Sequence, residues 1–477
     1  MGSITPLADP YFAGNFAPVA QEIYSESLEV VGELPRDLGG VFVRNGSNTR
    51  LAPRGRFHWF DGDGMVHALQ VQDGKASYRN RWVRTAGFLA EEQAGEVLWS
   101  GLLEKPDFRK KGGPYKNTAN TDLVFHAGQC LALWWMGGIP YVLKLPELET
   151  LGQQQYGGAL PEGFTAHPKV DPRTGEMMFM HFTQTTPVLE YGVVDKHGAI
   201  AHKTQLTLAG PRLQHDIAIT DKHTILLDMA MHADPKALAE GRVKVKFFRD
   251  EPTRFGILPR YGDGTQVRWF DAAPCYIYHL VNAWEEGDEV VVVGCRIGDP
   301  LTGDPSNINP AQRIAVIAAQ QITAHLHRWR FNLKTGATRE EQLDDSFAEF
   351  PRMDNRQLGK ASTISYHQRL ARDEQVHFDG IIRYAHERGS KTEYGYPPGW
   401  FGGETVFAPR IGSNREEDGY LLTFVAEEAT GASEAYIFDA KNIDRGPLAR
   451  VKLPQRVPAG FHAWWVPQDE VERQRAL

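Results

Sequence analysis

VHALQVQDGKASYRNRWVR, residues 66–84, places two runs of alternating apolar and polar residues around Asp73-Gly74. Alternation with period two is the signature of a half-buried strand, and Asp-Gly favours the tight turn of a hairpin. The scheme returns in CLALWWMGGIPYVLKL (130–145), around Gly137-Gly138, and in PKVDPRTGEMMFMHFT (168–183). It returns again in LEYGVVDKHGAIAHKTQL (189–206), RWRFNLKTGATREEQL (328–343) and AYIFDAKNIDRGPLARVKL (435–453). In each, a strand closes on Asp or another polar residue, a short turn follows, and the next strand begins. The pattern repeats without a strict sequence repeat. Such hairpins over 477 residues, with no long Gly/Ser linker, predict an all-β chain folded as one β-propeller domain spanning 1–477. Roughly six to eight blades of four strands would use that length. An array of β-sandwiches would carry linkers between its domains.

Helical pattern is sparse. PKALAEGRVKVK (235–246) begins like a short helix, and the start of INPAQRIAVIAAQQITAHLH (308–327) reads as loop or helix. Segments 101–118 and 385–403 are rich in Gly, Pro and aromatics and read as long cap loops on one face. No stretch approaches the ~18 apolar residues of a membrane span. The first residues carry no basic region followed by an apolar run, so the reading is a cytoplasmic protein. FGILP (255–259) and the run Trp99 to Leu103 are weak candidates for peripheral membrane contact.

Charge and cysteine content exclude several classes. Lys plus Arg is 52 and Asp plus Glu is 60, a net charge of −8, which argues against a nucleic-acid partner. Three cysteines, Cys130, Cys275 and Cys295, lie too far apart for a disulfide scaffold, a zinc finger or most iron–sulfur sites. Seventeen histidines remain, so a metal would be held by imidazole and carboxylate.

Four histidines lie near strands in similar surroundings: His167 in GFTAHPKVDP, His215 in LQHDIAIT, His279 in YIYHLVNAWEEGDEVVVV and His462 in GFHAWWVP. Taken singly, each reads more simply as a hydrogen-bonded core residue. Together, their wide spacing suits a propeller, whose blades present inner strands to one axis. Neutral imidazole is a common ligand of first-row metals. Four of them would leave two octahedral positions open, which suits Fe(II) binding dioxygen beside a substrate.

The ordered blocks resemble the carotenoid cleavage oxygenase family, which includes stilbene-cleaving members. FDGDGMVHAL (60–69) and NTANTDLVFHAGQCLALW (117–134) are similar to two family blocks near the N-terminus. TAHPKVDPRTGEMMF, QHDIAITDKHTILLD, YHLVNAWEEGDEVVV and GFHAWWV are similar to the four blocks that carry iron ligands. The resemblance implies a seven-bladed β-propeller with a cap of loops and short helices. It implies one Fe(II) per chain, held by His167, His215, His279 and His462, and no organic cofactor. It implies a reaction in which O2 cleaves a carbon–carbon double bond of a hydrophobic alkene into two carbonyls. Thr121 matches a family threonine beside the open metal position. Glu349 and Glu404 match two of three family glutamates that sit behind the ligands, pairing with His279 and His462 respectively.

At the third glutamate place the strand reads Leu131-Ala132-Leu133-Trp134-Trp135, so Trp135 replaces the carboxylate. An indole has a donor and no acceptor, so it cannot take the N–H of His215. A backbone carbonyl, a water or another side chain is expected there instead. Trp134 stands where stilbene-cleaving relatives carry a lysine, which removes their way of activating a phenol. Trp59, Phe60, Trp99 and Trp134 are expected to line an aromatic substrate tunnel. The reading is an apocarotenoid or carotenoid substrate, with an aryl alkene (stilbene or vinylphenol) as the alternative. A non-catalytic propeller used for binding is the rival outside catalysis.

Overall fold

A computed structural model describes residues 9–110, 112–183, 186–240, 244–301, 316–317 and 320–476. The chain packs as two compact units, Met1–Gln155 with Tyr394–Leu477, and Tyr156–Glu393. Both are built from antiparallel four-stranded meanders.

The first unit holds three such groups. The first contains Lys75–Trp82, Gly64–Gln72, Gly40–Ser47 and the C-terminal strand Ala463–Pro467. Gly40–Ser47 is buried on both faces, whereas Lys75–Trp82 alternates, as its sequence predicts. The Asp73-Gly74 turn has φ of 52° and 74°, the left-handed pair that a twisted hairpin requires. Val43 pairs with Trp464 and Arg44 with Ala463, so strands from opposite ends of the chain share one sheet. The second group runs through Asp122–His126, Gln129–Leu133, Tyr141–Lys144 and Glu149–Gln153. The third is centred on Gly419–Glu427 and Ser433–Asp439, with Val406–Pro409 and Ala449–Lys452 beside them.

The second unit holds four groups. They begin at Lys169–Val170, Ala218–Ile219, Tyr276–Glu286 and Ala348–Arg352. Their last strands are polar and open to solvent: Ile200–Thr207 alternates and Thr338–Gln342 is largely exposed. The inner strands carry the core. Val291, Val293, Leu326, Ala348 and Ile382 form one buried cluster, and each large apolar side chain so buried contributes about 1.5–3 kcal/mol.

Several readings change. Residues 385–403 are not one loop: they contain the strands Ser390–Gly395 and Trp400–Gly402. Ser390–Gly395 is a polar strand paired on one side, along Phe378–Ala385, and the surrounding Gly and Pro mask its short alternation. FGILP is not a membrane contact. It lies in the strand Thr253–Pro259, with Phe255, Ile257 and Leu258 at most 2% exposed. The strand at 130–145 ends at Leu133, so Trp134 and Trp135 stand in the connection that follows. The helix at 235 is the short Pro235–Ala239. Residues 308–315 and 318–319 lie outside the described residues; Val316–Ile317 pairs with Gln320–Gln321, and the end enters the strand His325–Asn332. No described helix is long and apolar enough to cross a membrane.

Asp171 ties the first hairpin of the second unit. Its carboxylate accepts the backbone N–H of Arg173 at 2.8 Å and pairs with the guanidinium groups of Arg173 at 3.0 Å and Arg260 at 2.6 Å. Burial alone would raise its pKa, but the Arg173 and Arg260 hydrogen bonds outweigh burial and hold it at about 2. A carboxyl held below its ordinary value stabilises the fold above its unfolded pKa, and that stability is lost as pH falls through the folded pKa. The stability gap between wild type and Asp171→Asn should therefore be largest near neutral pH. It should shrink as pH falls from about 4 towards 2, measured by thermal unfolding across pH.

Candidate metal centre

His167, His215 and His279 meet in the second unit. The His167 and His215 rings stack with centroids 4.8 Å apart, and His279 stands edge-on to both, at 5.2 Å and 4.9 Å. One nitrogen of His167 and one of His279 lie within 4.8 Å of each other. All three side chains are buried.

Backbone irregularity aims these rings. His167 precedes the strand Lys169–Val170 and has φ of +68°, a conformation costly for a non-glycine residue and concentrated at functional sites. His279 stands in a bulge of Tyr276–Glu286: the register with Glu289–Ile297 shifts on both sides of Leu280. A bulge bends a strand and re-aims a side chain. Gly294, opposite Leu280, makes room for it. A Cβ there would lie 2.8 Å from Leu280 Cδ2 and 3.2 Å from the His279 carbonyl.

Acceptors stand behind the rings. His279 Nδ1 lies 2.5 Å from Glu349 Oε2, and the same oxygen accepts the Phe350 N–H at 2.6 Å. His215 Nδ1 lies 2.9 Å from the carbonyl oxygen of Tyr278. A carbonyl only accepts, so Nδ1 carries the proton and the lone pair is on Nε2. The backbone carbonyl thus stands where the family glutamate is missing, one of the alternatives left open by Trp135.

His462 belongs to the first unit and is also buried. Its Nδ1 lies 3.0 Å from Glu404 Oε1, and Glu404 Oε2 accepts the N–H of Ala463 at 2.6 Å. Glu404 therefore grips the start of the C-terminal strand as well as the ring. Thr121 is close in the same unit: its carbonyl accepts the His462 N–H at 3.1 Å. Its hydroxyl donates to Asn120 Oδ1 at 2.9 Å and accepts the Trp135 N–H at 3.1 Å.

Of the expected tunnel residues, Phe60, Trp99 and Trp134 line one cleft of the first unit. Trp59 is 3% exposed and packs against Phe16 and Phe461 instead. The cleft also holds groups that carried no signal in the sequence. Lys116 Nζ bridges Asp63 at 2.6 Å and Glu91 at 2.5 Å. Asp61 accepts the N–H groups of Leu102 and His58, each at 2.9 Å, and burial raises its pKa to about 6. The indole N–H of Trp134 and the hydroxyl of Thr118 have no hydrogen-bond partner among the described residues.

Three close, buried imidazoles, one backed by a carboxylate and one by a carbonyl, form a donor set that fits a divalent first-row metal. A family model described as Retinal pigment epithelial membrane protein matches residues 16–467. The chain belongs to this family of carotenoid oxygenases, metal-dependent oxygenases with a β-propeller fold. Among its relatives is a carotenoid 9,10(9',10')-cleavage dioxygenase of Pisum sativum, 37% identical, matched over 98% of this chain and 92% of that protein. The lignostilbene dioxygenase of Pseudomonas brassicacearum superposes with a TM-score of 0.86 at 27% identity, covering 96% of this chain and 99% of that one. A cobalt-substituted apocarotenoid oxygenase of Synechocystis superposes with a TM-score of 0.83 at 26% identity, covering 98% of this chain and 100% of that one.

Thr121→Ala removes the acceptor of a buried backbone N–H. The expected loss is about 1–3 kcal/mol, with less in Thr121→Ser, read by chemical denaturation.

Proposed function

We propose that the chain is a non-heme Fe(II) dioxygenase that cleaves a carbon–carbon double bond of an apocarotenoid or carotenoid. The observation that carries the reading is the buried triad His167, His215 and His279, with an acceptor behind two of its rings. We assign His462 as the fourth ligand. In support, Glu404 holds its Nδ1 as Glu349 holds that of His279. Such acceptors fix ring orientation and tautomer and strengthen the ligand. On this reading the chain 1–477 works as a single catalytic domain.

Fe(II), when bound, would supply the electrons that make O2 reactive towards an alkene. In the net reaction the C=C and O–O bonds break and each alkene carbon gains one oxygen. No reductant and no proton is consumed, so no acid or base is required of the protein. Thr121 and its hydrogen bonds set the backbone of His462 and the position of the Trp135 connection. Phe60, Trp99 and Trp134 offer flat apolar surface to a conjugated substrate and keep water from it.

One observation favours an aryl alkene as the second reading. The cleft carries Tyr115 and Asp61 beside its aromatic wall, and the chain is similar to a lignostilbene dioxygenase.

The test is aerobic incubation of iron-loaded protein under 18O2 with an apocarotenal, β-carotene, a hydroxystilbene and a vinylphenol, with products read by mass spectrometry. Labelled carbonyl products from the polyenes are expected, with about one iron per chain. Cleavage of the phenols alone would overturn the substrate. His279→Ala should lose iron and activity together; full activity in that variant would overturn the ligand assignment.

A further inference from the structure

The bulge that aims His279 is also where a second ligand finds its acceptor. Tyr278 and His279 fall outside the paired register, between Ile277 and Leu280. Both peptide groups that flank His279 are contacted from a neighbouring segment. Two consecutive residues take them. His215 Nδ1 meets the Tyr278 carbonyl at 2.9 Å, and Asp216 Oδ2 accepts the Leu280 N–H at 2.8 Å.

Asp216 does more than cap one amide. Its Oδ1 accepts the N–H of Ile217 at 2.8 Å and pairs with Lys169 Nζ at 2.6 Å. Lys169 lies two residues after His167. One carboxylate, only 1% exposed, thus joins the segments that carry His167, His215 and His279. Burying a charge is costly unless it is paired and hydrogen-bonded, and here an ammonium and two backbone amides do both.

We infer that Asp216, paired with Lys169, is a positioning residue of the metal centre, holding the bulge so that the Tyr278 carbonyl can orient His215. The inference rests on the metal-binding reading above. A glutamate side chain carries its own acceptor to an imidazole and can follow it by changing rotamer. A backbone carbonyl cannot, because it points where its peptide plane points. Replacing the missing glutamate by Tyr278 O therefore transfers the burden to whatever fixes the 278–280 backbone. Asp216 fixes it at Leu280 N, on the far side of His279. Asp216→Asn keeps the size but replaces one acceptor oxygen by a donor. Either Leu280 N or the Lys169 ammonium then faces an N–H group.

The test compares wild type with Asp216→Asn and Lys169→Met. Metal-free protein is titrated anaerobically with Co(II) against a competing chelator, and the d–d absorption of the Co(II) form is recorded. Asp216→Asn should weaken Co(II) binding by about 10–100-fold and alter its spectrum. Lys169→Met should weaken binding by a smaller factor in the same direction, and it carries the test should Asp216→Asn fail to fold. Wild-type affinity and spectrum in a folded variant would overturn the inference. So would a lowered melting temperature of the metal-free variant with unchanged affinity in its folded fraction, since that is a purely structural role. Wild type that binds no Co(II) or Fe(II) would overturn the metal reading itself, and this inference with it.

Discussion

An imidazole holds a metal in one direction only when its other nitrogen is held too, and this constraint organises the molecule. His279 and His462 meet it with carboxylates, Glu349 and Glu404. Each carboxylate also takes a backbone N–H, of Phe350 and Ala463 respectively. The acceptor is thereby anchored to the strand that must stay in place. His215 meets the constraint with a backbone carbonyl. The same tautomer results, with the proton on Nδ1, from two chemically different acceptors. The sheets matter because they place the rings and acceptors, which lie beside strand ends or, for His279 and Tyr278, in a bulge.

Positioning of this kind leaves strain in the backbone. His167, Phe350 beside Glu349, and Ala119 near Thr121 have φ of 68°, 51° and 47°. Each such residue costs on the order of 1–3 kcal/mol and persists only where the surroundings over-determine it. The surroundings here are sheets with inner strands buried on both faces. Gly40–Ser47 pairs with the strand that follows His462, and Glu289–Ile297 pairs with the bulged strand of His279. Two features therefore belong together: continuous hydrophobic inner strands and irregular residues at their ends. The first supplies the rigidity that the second consumes.

Much of this was legible in the residues. Asp73-Gly74 announced a hairpin because only a few residue pairs tolerate its left-handed turn, and the structure has that turn. The two glutamates were legible through resemblance, since side chains that serve a fixed partner leave a letter in a fixed block. The acceptor of His215 was not, because a carbonyl has no letter: every residue has one, and only the bulge aims that of Tyr278. Asp216 and Lys169 read as ordinary charges, since their pairing depends on strands that meet only in the folded chain. FGILP misled for a related reason. An apolar run has the same letters at a membrane surface and in a buried strand, and the pairing of Thr253–Pro259 on both sides decides between them.

Trp135 stands where the resemblance implies a glutamate, and Trp134 where it implies a lysine in stilbene-cleaving relatives alone. Neither indole brings an ionisable group to this connection. Several ionisable groups on the cleft are engaged: Lys116 lies between Asp63 and Glu91, and Asp61 holds two backbone N–H groups. The indole N–H of Trp134 is a donor only. It cannot take a proton. A phenol that must be deprotonated would depend on Asp61 or Tyr115 for a base. A polyene needs none, and gains about 25 cal/mol for each Å² of apolar surface it buries. A conjugated chain would use that property, stacking along Phe60, Trp99 and Trp134.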